Sequence, residues 1–181
     1  MANSSKRKGD RAEREAVAVL FRLAPDLVVT RPQRLLGAGR REDTGDLWVF
    51  PRVTVQVKYR SDPSTALRPA ADGAAVQALR AGSQLAVGLV PLPGVRRPAV
   101  RWVACALAWP GGPPPDACGF RSVAPALHHV RRDDGPVPRT DRVAVVERVG
   151  TAALFLAPVE AWIDAYRAAV TAPAGEPPRT R

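Results

Sequence analysis

One alternating stretch constrains the fold of this chain more than any other feature. In residues 53–59, VTVQVKY, valines alternate at positions 53, 55 and 57. This period of two is typical of a half-buried β-strand, so Gln56 and Lys58 are expected together on the opposite, solvated face. The pattern therefore predicts a strand that carries an amide and an ammonium group side by side.

Lys58 is unusual for its residue type. The chain has 24 Arg and only three Lys, and Lys6 and Lys8 lie in the N-terminal basic run, so Lys58 is the sole lysine of the remaining body. A compact ammonium and a planar guanidinium are not interchangeable in chemistry or in recognition. Lys58 is thus a candidate functional residue, with a solvent-facing lysine on an edge strand as the alternative.

Charge and composition narrow the class of partner. The net charge is +10 and the pI is near 11.1, which favours a polyanion, with nucleic acid first and an anionic membrane surface second. The sequence has no run of 18 apolar residues and no apolar signal core, which predicts an intracellular, cytoplasmic protein without a membrane span.

Cysteine and histidine offer little chemistry. Cys105 and Cys118 have no CxxC spacing, so a disulfide framework is not indicated. His128 and His129 follow Cys118 by ten residues or more, a spacing that fits no common zinc pattern.

Periodicity predicts an α/β fold in which a mixed central sheet is flanked by helices. The predicted elements are a helix from Lys6 to about Leu23, strands at 26–32, 46–50 and 53–59, a helix at 69–81, strands at 84–92 and 99–108, a short helix at 122–132 interrupted by Pro125, a hairpin around Gly150, and an amphipathic helix at 159–170. Residues 33–45 and 110–119 are expected to be loops. We expect a core at 1–109, a C-terminal strand–helix elaboration of the same domain or small subdomain at 110–172, and a disordered tail at 173–181.

Three further positions converge with Lys58. Asp46 opens the second strand, and antiparallel pairing through the turn at Pro51 brings it near Gln56 and Lys58. Glu13 lies at the edge of the apolar stripe of the first helix, where a carboxylate is costly unless a charged group needs it. A hard divalent cation takes such oxygen ligands, lowers the pKa of bound water and offsets phosphate charge, while a lysine positions that water.

These residues carry a resemblance. KGDRAERE (8–15), GD (45–46) and QVK (56–58) together resemble the PD-(D/E)XK nuclease superfamily, and within it the archaeal and phage Holliday junction resolvases, whose first helix has a KG-x-R-x-ERE-type signature. The likeness covers roughly residues 6–90. It implies a restriction-endonuclease-like core and a homodimer, cellular or phage-encoded, that cuts four-way DNA junctions with Mg²⁺ or Mn²⁺.

The resemblance also assigns roles. Glu13 matches the helix glutamate, Asp46 the metal-binding aspartate and Lys58 the catalytic lysine, so Glu13, Asp46 and Gln56 are the implied metal ligands. Gln56 stands where a second acid is usual, and its amide oxygen is a weaker ligand. The QVK form is also similar to Mrr-type restriction endonucleases, and only Thr44 is available for the loop serine of archaeal resolvases.

Positive residues around this set are expected to contact DNA phosphates, with ordinary solvated charges as the alternative. They are Lys6, Arg7, Lys8, Arg11, Arg31, Arg34, Arg40, Arg41 and Arg60.

Two other functions stay open on the sequence alone. A DNA-binding protein on the same core would be catalytically weak or inactive because Gln56 removes a charge from the metal site. An Mrr-like enzyme would instead cut duplex DNA.

Candidate surfaces for the implied dimer are the two apolar strands at 84–92 and 99–108, and a helical stripe that alternatively packs on its own sheet. The stripe comprises Val159, Trp162, Ile163 and Tyr166. Trp48, Trp102 and Trp162 are expected in the core, and Trp109 at the surface.

Overall fold

A computed structural model describes residues 3–29, 33–34, 46–92, 101–131 and 139–171. These residues form four helices and eight strands. In chain order they are α1 Asn3–Leu23, β1 Gln33–Arg34, β2 Leu47–Trp48, β3 Val53–Val57, α2 Ser64–Ala81, β4 Leu85–Pro91, β5 Trp102–Ala106, β6 Cys118–Phe120, α3 Val123–Arg131, β7 Ala144–Val146, β8 Leu154–Pro158 and α4 Val159–Thr171.

All the described strands belong to one mixed sheet. Their spatial order is β1-β2-β3-β4-β5-β8-β7-β6. The β3–β4 and β6–β7 pairs are parallel and the other neighbours are antiparallel. The expected α/β class with a mixed sheet and flanking helices is confirmed, and the C-terminal strands extend the same sheet because β8 pairs with β5.

Helices cover both faces of the sheet. On one face, Val55 and Val87 share a core cluster with Ala16 of α1 and Ile163 of α4. The alternating residues of the neighbouring strands point the other way, where Cys105 joins residues of α2 and α3 in a second cluster. The central strands β3 and β5 are therefore buried on both faces, as expected of a sheet between two helical layers.

The first helix follows its predicted stripe. Ala12, Ala16 and Leu20 are buried, and α1 ends at Leu23 as predicted, two residues before Pro25, although it begins at Asn3, three residues earlier than predicted. The predicted strand at 26–32 is wrong for its described residues 26–29, because the chain is still turning there. Leu27 donates its N–H to Ala24 O at 3.1 Å, and the strand comes later, as β1, inside the predicted loop.

The second helix begins five residues before its predicted start, at Ser64. The Asp62 carboxylate accepts the backbone N–H of Ser64 at 3.0 Å and its hydroxyl at 2.8 Å, which satisfies the first orphan donor of the helix. Pro69 consequently lies inside α2 rather than in its first turn. The helix ends at Gly82, whose φ of 64° closes a left-handed cap.

The C-terminal part needs two corrections. Pro125 does not interrupt α3, because it is the third residue of that helix, where its missing N–H would have no intrahelical acceptor. The predicted loop at 110–119 runs into a short strand, β6. The hairpin around Gly150 and the amphipathic helix α4 are confirmed.

The structure contradicts the expected dimer surfaces. Strands β4 and β5 are interior strands of the sheet, and the stripe of α4 packs on its own sheet in the first core cluster. Trp102 and Trp162 are buried as predicted, whereas Trp109 is buried and Trp48 is exposed, both contrary to prediction.

The remaining sequence predictions concern bonds and membranes. Cys105 and Cys118 are free. In the described ranges, no helix has both the length and the apolar character needed to cross a bilayer. The predicted disordered tail at 173–181 lies outside the described residues.

Candidate functional site

Asp46 immediately precedes β2 and is held by hydrogen bonds to β3. Leu47 pairs with Val55 in the antiparallel β2–β3 ladder, and Asp46 donates its backbone N–H to Val55 O at 3.0 Å. Its Oδ2 accepts the N–H of Val57 at 2.7 Å, so a carboxylate oxygen occupies the place of a ladder carbonyl. The carboxylate consequently lies beside the Gln56–Val57 peptide, at the point of β3 predicted from the sequence.

Gln56 is buried under α2, which corrects the expectation of a solvated face. Its relative exposure is 6%. A Cβ added to Gly73 of α2 would fall on Oε1 of Gln56 and lie 2.9 Å from its Cδ, so the amide packs directly over that glycine. The reason is tertiary, since α2 packs on β3 and β4 and covers the face that the alternation alone would leave to solvent.

The close approach of α2 to the sheet depends on a second glycine. A Cβ added to Gly88 of β4 would lie 2.6 Å from the carbonyl carbon of Ala70 and 2.7 Å from Cys105 Sγ. Only a residue without a side chain fits between the helix and the sheet there.

Lys58 follows β3 and continues its ladder. Its backbone N–H donates to Leu89 O of β4 at 3.0 Å, and its side chain is half-buried. Two residues from Gln56, it emerges on the same side of the sheet. Asp46, Gln56 and Lys58 therefore occupy neighbouring backbone positions at the end of the β2–β3 pair.

Glu13 belongs to the helix on the opposite face. It is half-buried beside buried Ala12, whereas Glu15 is exposed, as the stripe of α1 predicts. Glu15 pairs with Arg11 at 2.7 Å, and the pKa of Arg11 is raised, chiefly by that hydrogen bond. The helix that carries Glu13 packs on the sheet face opposite to the one that holds Gln56.

A basic cavity of about 430 Å³ opens beyond the end of β3. It is lined by Lys8, Tyr59, Arg60, Ser61, Asp62 and Thr65. The cavity brings together two residues that are far apart in sequence and were both predicted to contact phosphate, Lys8 of α1 and Arg60 after β3.

The other predicted DNA contacts divide by what is described. Lys6, Arg7 and Arg11 are exposed on α1. Arg34 belongs to β1, where only the backbone is described, and the predictions for Arg31, Arg40, Arg41 and Thr44 fall outside the described residues.

The donor chemistry suits a hard cation with few protein ligands. Within the described ranges, no three His, Cys, Asp or Glu side chains gather as a metal site. Gln56 Oε1 is buried and has no hydrogen-bond partner among the described residues. A carboxylate and an amide oxygen are ligand types that Mg²⁺ accepts, and Mg²⁺ keeps several of its waters.

Sequence reasoning missed two residues beside the site. Gly73 interrupts a strong helix-forming run, which by itself signals a close packing contact. Trp48 lies two positions after Asp46, and the same alternation that grouped Gln56 with Lys58 groups these two on one face.

Comparison with known proteins adds no assignment. The chain matches no protein-family model, and no curated protein or solved structure is significantly similar to it.

Proposed function

We propose that this protein is a metal-dependent DNA endonuclease with a restriction-endonuclease-like core, of the Holliday junction resolvase type. The observation that carries the proposal is the position of the Asp46 carboxylate on the Val57 N–H, beside Gln56 and Lys58. An acid, an amide oxygen and an ammonium on one strand pair form a small set suited to phosphodiester hydrolysis. The net charge of +10 favours a polyanionic substrate.

Each residue has a role in the proposed reaction. Asp46 and the Oε1 of Gln56 would hold Mg²⁺ or Mn²⁺, which when bound supplies charge neutralisation at the phosphate and acidifies water. The Lys58 ammonium orients the attacking water and stabilises negative charge on the phosphate oxygens. Lys8 and Arg60 hold the adjacent backbone phosphates in the basic cavity.

The two-fold symmetry of a four-way junction sets the proposed assembly. Two strands placed symmetrically must be cut, so one site per chain requires a homodimer. Its surface must differ from β4, β5 and the stripe of α4, which are buried within the chain.

The test compares a labelled four-way junction with its linear duplex arms, each with Mg²⁺ and with EDTA. We expect paired cuts near the branch point that depend on Mg²⁺ and are faster on the junction than on the arms. Equal cleavage of the arms would favour the Mrr-like duplex enzyme. No cleavage of either DNA would contradict an endonuclease.

A second candidate is a DNA-binding protein on the same fold without catalytic activity. The packing of Gln56 against Gly73 favours it, because an amide held under α2 is less free to meet a cation than a carboxylate at the site. This candidate predicts salt-sensitive junction binding that is unaffected by Mg²⁺ and never followed by cleavage.

A further inference from the structure

Trp48 is the exception among the residues of its strand. Its neighbours Leu47 and Val49 are 1% and 0% exposed, whereas Trp48 is 46% exposed. Burial of a tryptophan removes a large apolar area from water, so leaving an indole half in solvent on a sheet is a cost to folding. Such residues mark binding surfaces more often than isolated small apolar side chains do.

The sheet alternation places this indole on the face of the candidate site. Leu47 points into the core cluster that contains α1, so Asp46 and Trp48 both point to the opposite face, where Gln56 lies under α2. Among the described residues, α2 packs chiefly on β3, β4 and β5. Trp48 lies on the same face over β2, where about half of its surface is exposed.

Trp48 lies two residues after Asp46, which is about 7 Å along a strand. DNA bound at the candidate site would therefore pass within reach of the Trp48 ring.

We infer that Trp48 stacks on an unpaired base of DNA bound at the candidate site. The inference rests on the proposed nuclease function and specifies its substrate class: DNA with unpaired nucleotides at the cleaved step, as at a branch point or bulge. A base inside a continuous duplex is covered on both sides by its neighbours, whereas an unpaired base offers a free π-face. A basic surface combined with an aromatic platform is the usual way to bind such strands without reading sequence.

The test measures binding in EDTA, so that it is independent of cleavage. Two duplexes of one sequence are compared, one continuous and one with two unpaired nucleotides that include 2-aminopurine. Trp48→Ala is expected to weaken binding to the second DNA about tenfold, as expected for the loss of one base stack, and to leave binding to the continuous duplex nearly unchanged. The wild type quenches 2-aminopurine fluorescence, and Trp48→Ala does not.

Two variants make the comparison specific. Trp48→Phe keeps an aromatic face and should retain most of the affinity. Phe21→Ala removes another exposed aromatic side chain, 52% exposed on α1, and should bind both DNAs like the wild type.

The outcomes distinguish a failure of the stacking role from a failure of the proposed nuclease function. If the wild type binds and cuts DNA while Trp48→Ala binds both DNAs as tightly, the stacking role is overturned and the nuclease stands. An equal loss on both DNAs, or a variant that changes only the oligomeric state in light scattering, overturns it as well. If the wild type neither binds nor cuts branched DNA, the proposed function itself fails.

Discussion

At the scale of single residues, the fit between Gln56 and Gly73 determines how the candidate site is covered. The alternation of β3 was sufficient to predict that Gln56 and Lys58 share a face. It could not predict that this face is buried, because burial depends on α2 crossing the sheet at Gly73 and Gly88. These contacts join residues that are distant along the chain, so no local pattern encodes them.

Gly73→Ala should destabilise the protein, since the new methyl group would overlap the Gln56 amide. Overpacking costs about 1–3 kcal/mol, which exceeds the gain of about 1 kcal/mol for alanine over glycine in a helix. Denaturant unfolding measures the change. Gly9→Ala is the matched control, because a Cβ there meets nothing within 4 Å and the variant should be slightly stabilised. Adding Gln56→Ala to Gly73→Ala should recover much of the loss, and no recovery would contradict the contact.

Gln56→Glu tests the metal without measuring activity. In EDTA, a carboxylate buried under α2 without a partner should lower the free energy of unfolding by about 3 kcal/mol. Mg²⁺ should restore much of this, because a second carboxylate strengthens cation binding and ligand binding to the native state stabilises it. Thermal unfolding with and without Mg²⁺ gives the result, and Gln77→Glu, at another buried glutamine of α2, is the control. An identical stabilisation of the two variants by Mg²⁺ would show that residue 56 does not bind the metal.

At the scale of elements, the periodic patterns identified the helices and the central strands, and the errors occurred at helix starts and at the short strands. Side-chain hydrogen bonding shifted one boundary, since Asp62 starts α2 before Pro69. The first strand was misplaced because the turn after α1 outweighs the strand propensity of Leu27 and its valine neighbours. The turn is held by the 3.1 Å bond from Leu27 N–H to Ala24 O, which the sequence does not reveal.

The first turn of α4 predicts a pH dependence of stability. Burial raises the pKa of Glu160 above its ordinary value of 4.5, so the folded state holds this proton more tightly than the unfolded chain does. The protonated Glu160 therefore contributes its full stabilisation below pH 4.5. This stabilisation is lost as the pH rises through the folded-state pKa. Glu160→Gln should reduce the loss of stability with rising pH and be more stable than the wild type at pH 7.

Thermal unfolding between pH 4 and 8 tests the Glu160 prediction. Exposed Glu147 provides the control variant Glu147→Gln, which should follow the wild-type profile. A Glu160→Gln profile parallel to that of the wild type would contradict the role of burial.

At the scale of the whole molecule, the eight described strands form one sheet that joins the candidate core to the C-terminal strands. The Asp72 carboxylate of α2 pairs with Arg148 at 2.7 Å, which ties the C-terminal hairpin region to the helix that covers Gln56. The sequence predicted strands and a helix beyond residue 110, but not their attachment through β5. Strand order is a matter of long-range pairing, and many orders are compatible with the same local patterns.

The charge of the molecule makes DNA affinity salt-dependent. Each phosphate contact contributes a slope of about −0.9 in a plot of log affinity against log salt concentration. Replacing Lys8 and Arg60 of the basic cavity by alanine should therefore make the slope shallower by about 1.8. The control replaces Arg80 and Arg131, exposed at the ends of α2 and α3. Equal changes of slope in both double variants would show that Lys8 and Arg60 act only as general surface charge.

Cleavage of a four-way junction by site variants tests the central claim most directly. Asp46→Asn and Lys58→Ala are each expected to lower the Mg²⁺-dependent cleavage rate at least 100-fold, a typical effect of losing one catalytic group, while junction affinity in EDTA stays within a few-fold of wild type. Asp116→Asn, at an exposed carboxylate in the loop before β6, should cut at the wild-type rate. Undiminished cleavage by purified Asp46→Asn or Lys58→Ala would contradict the assignment of the site.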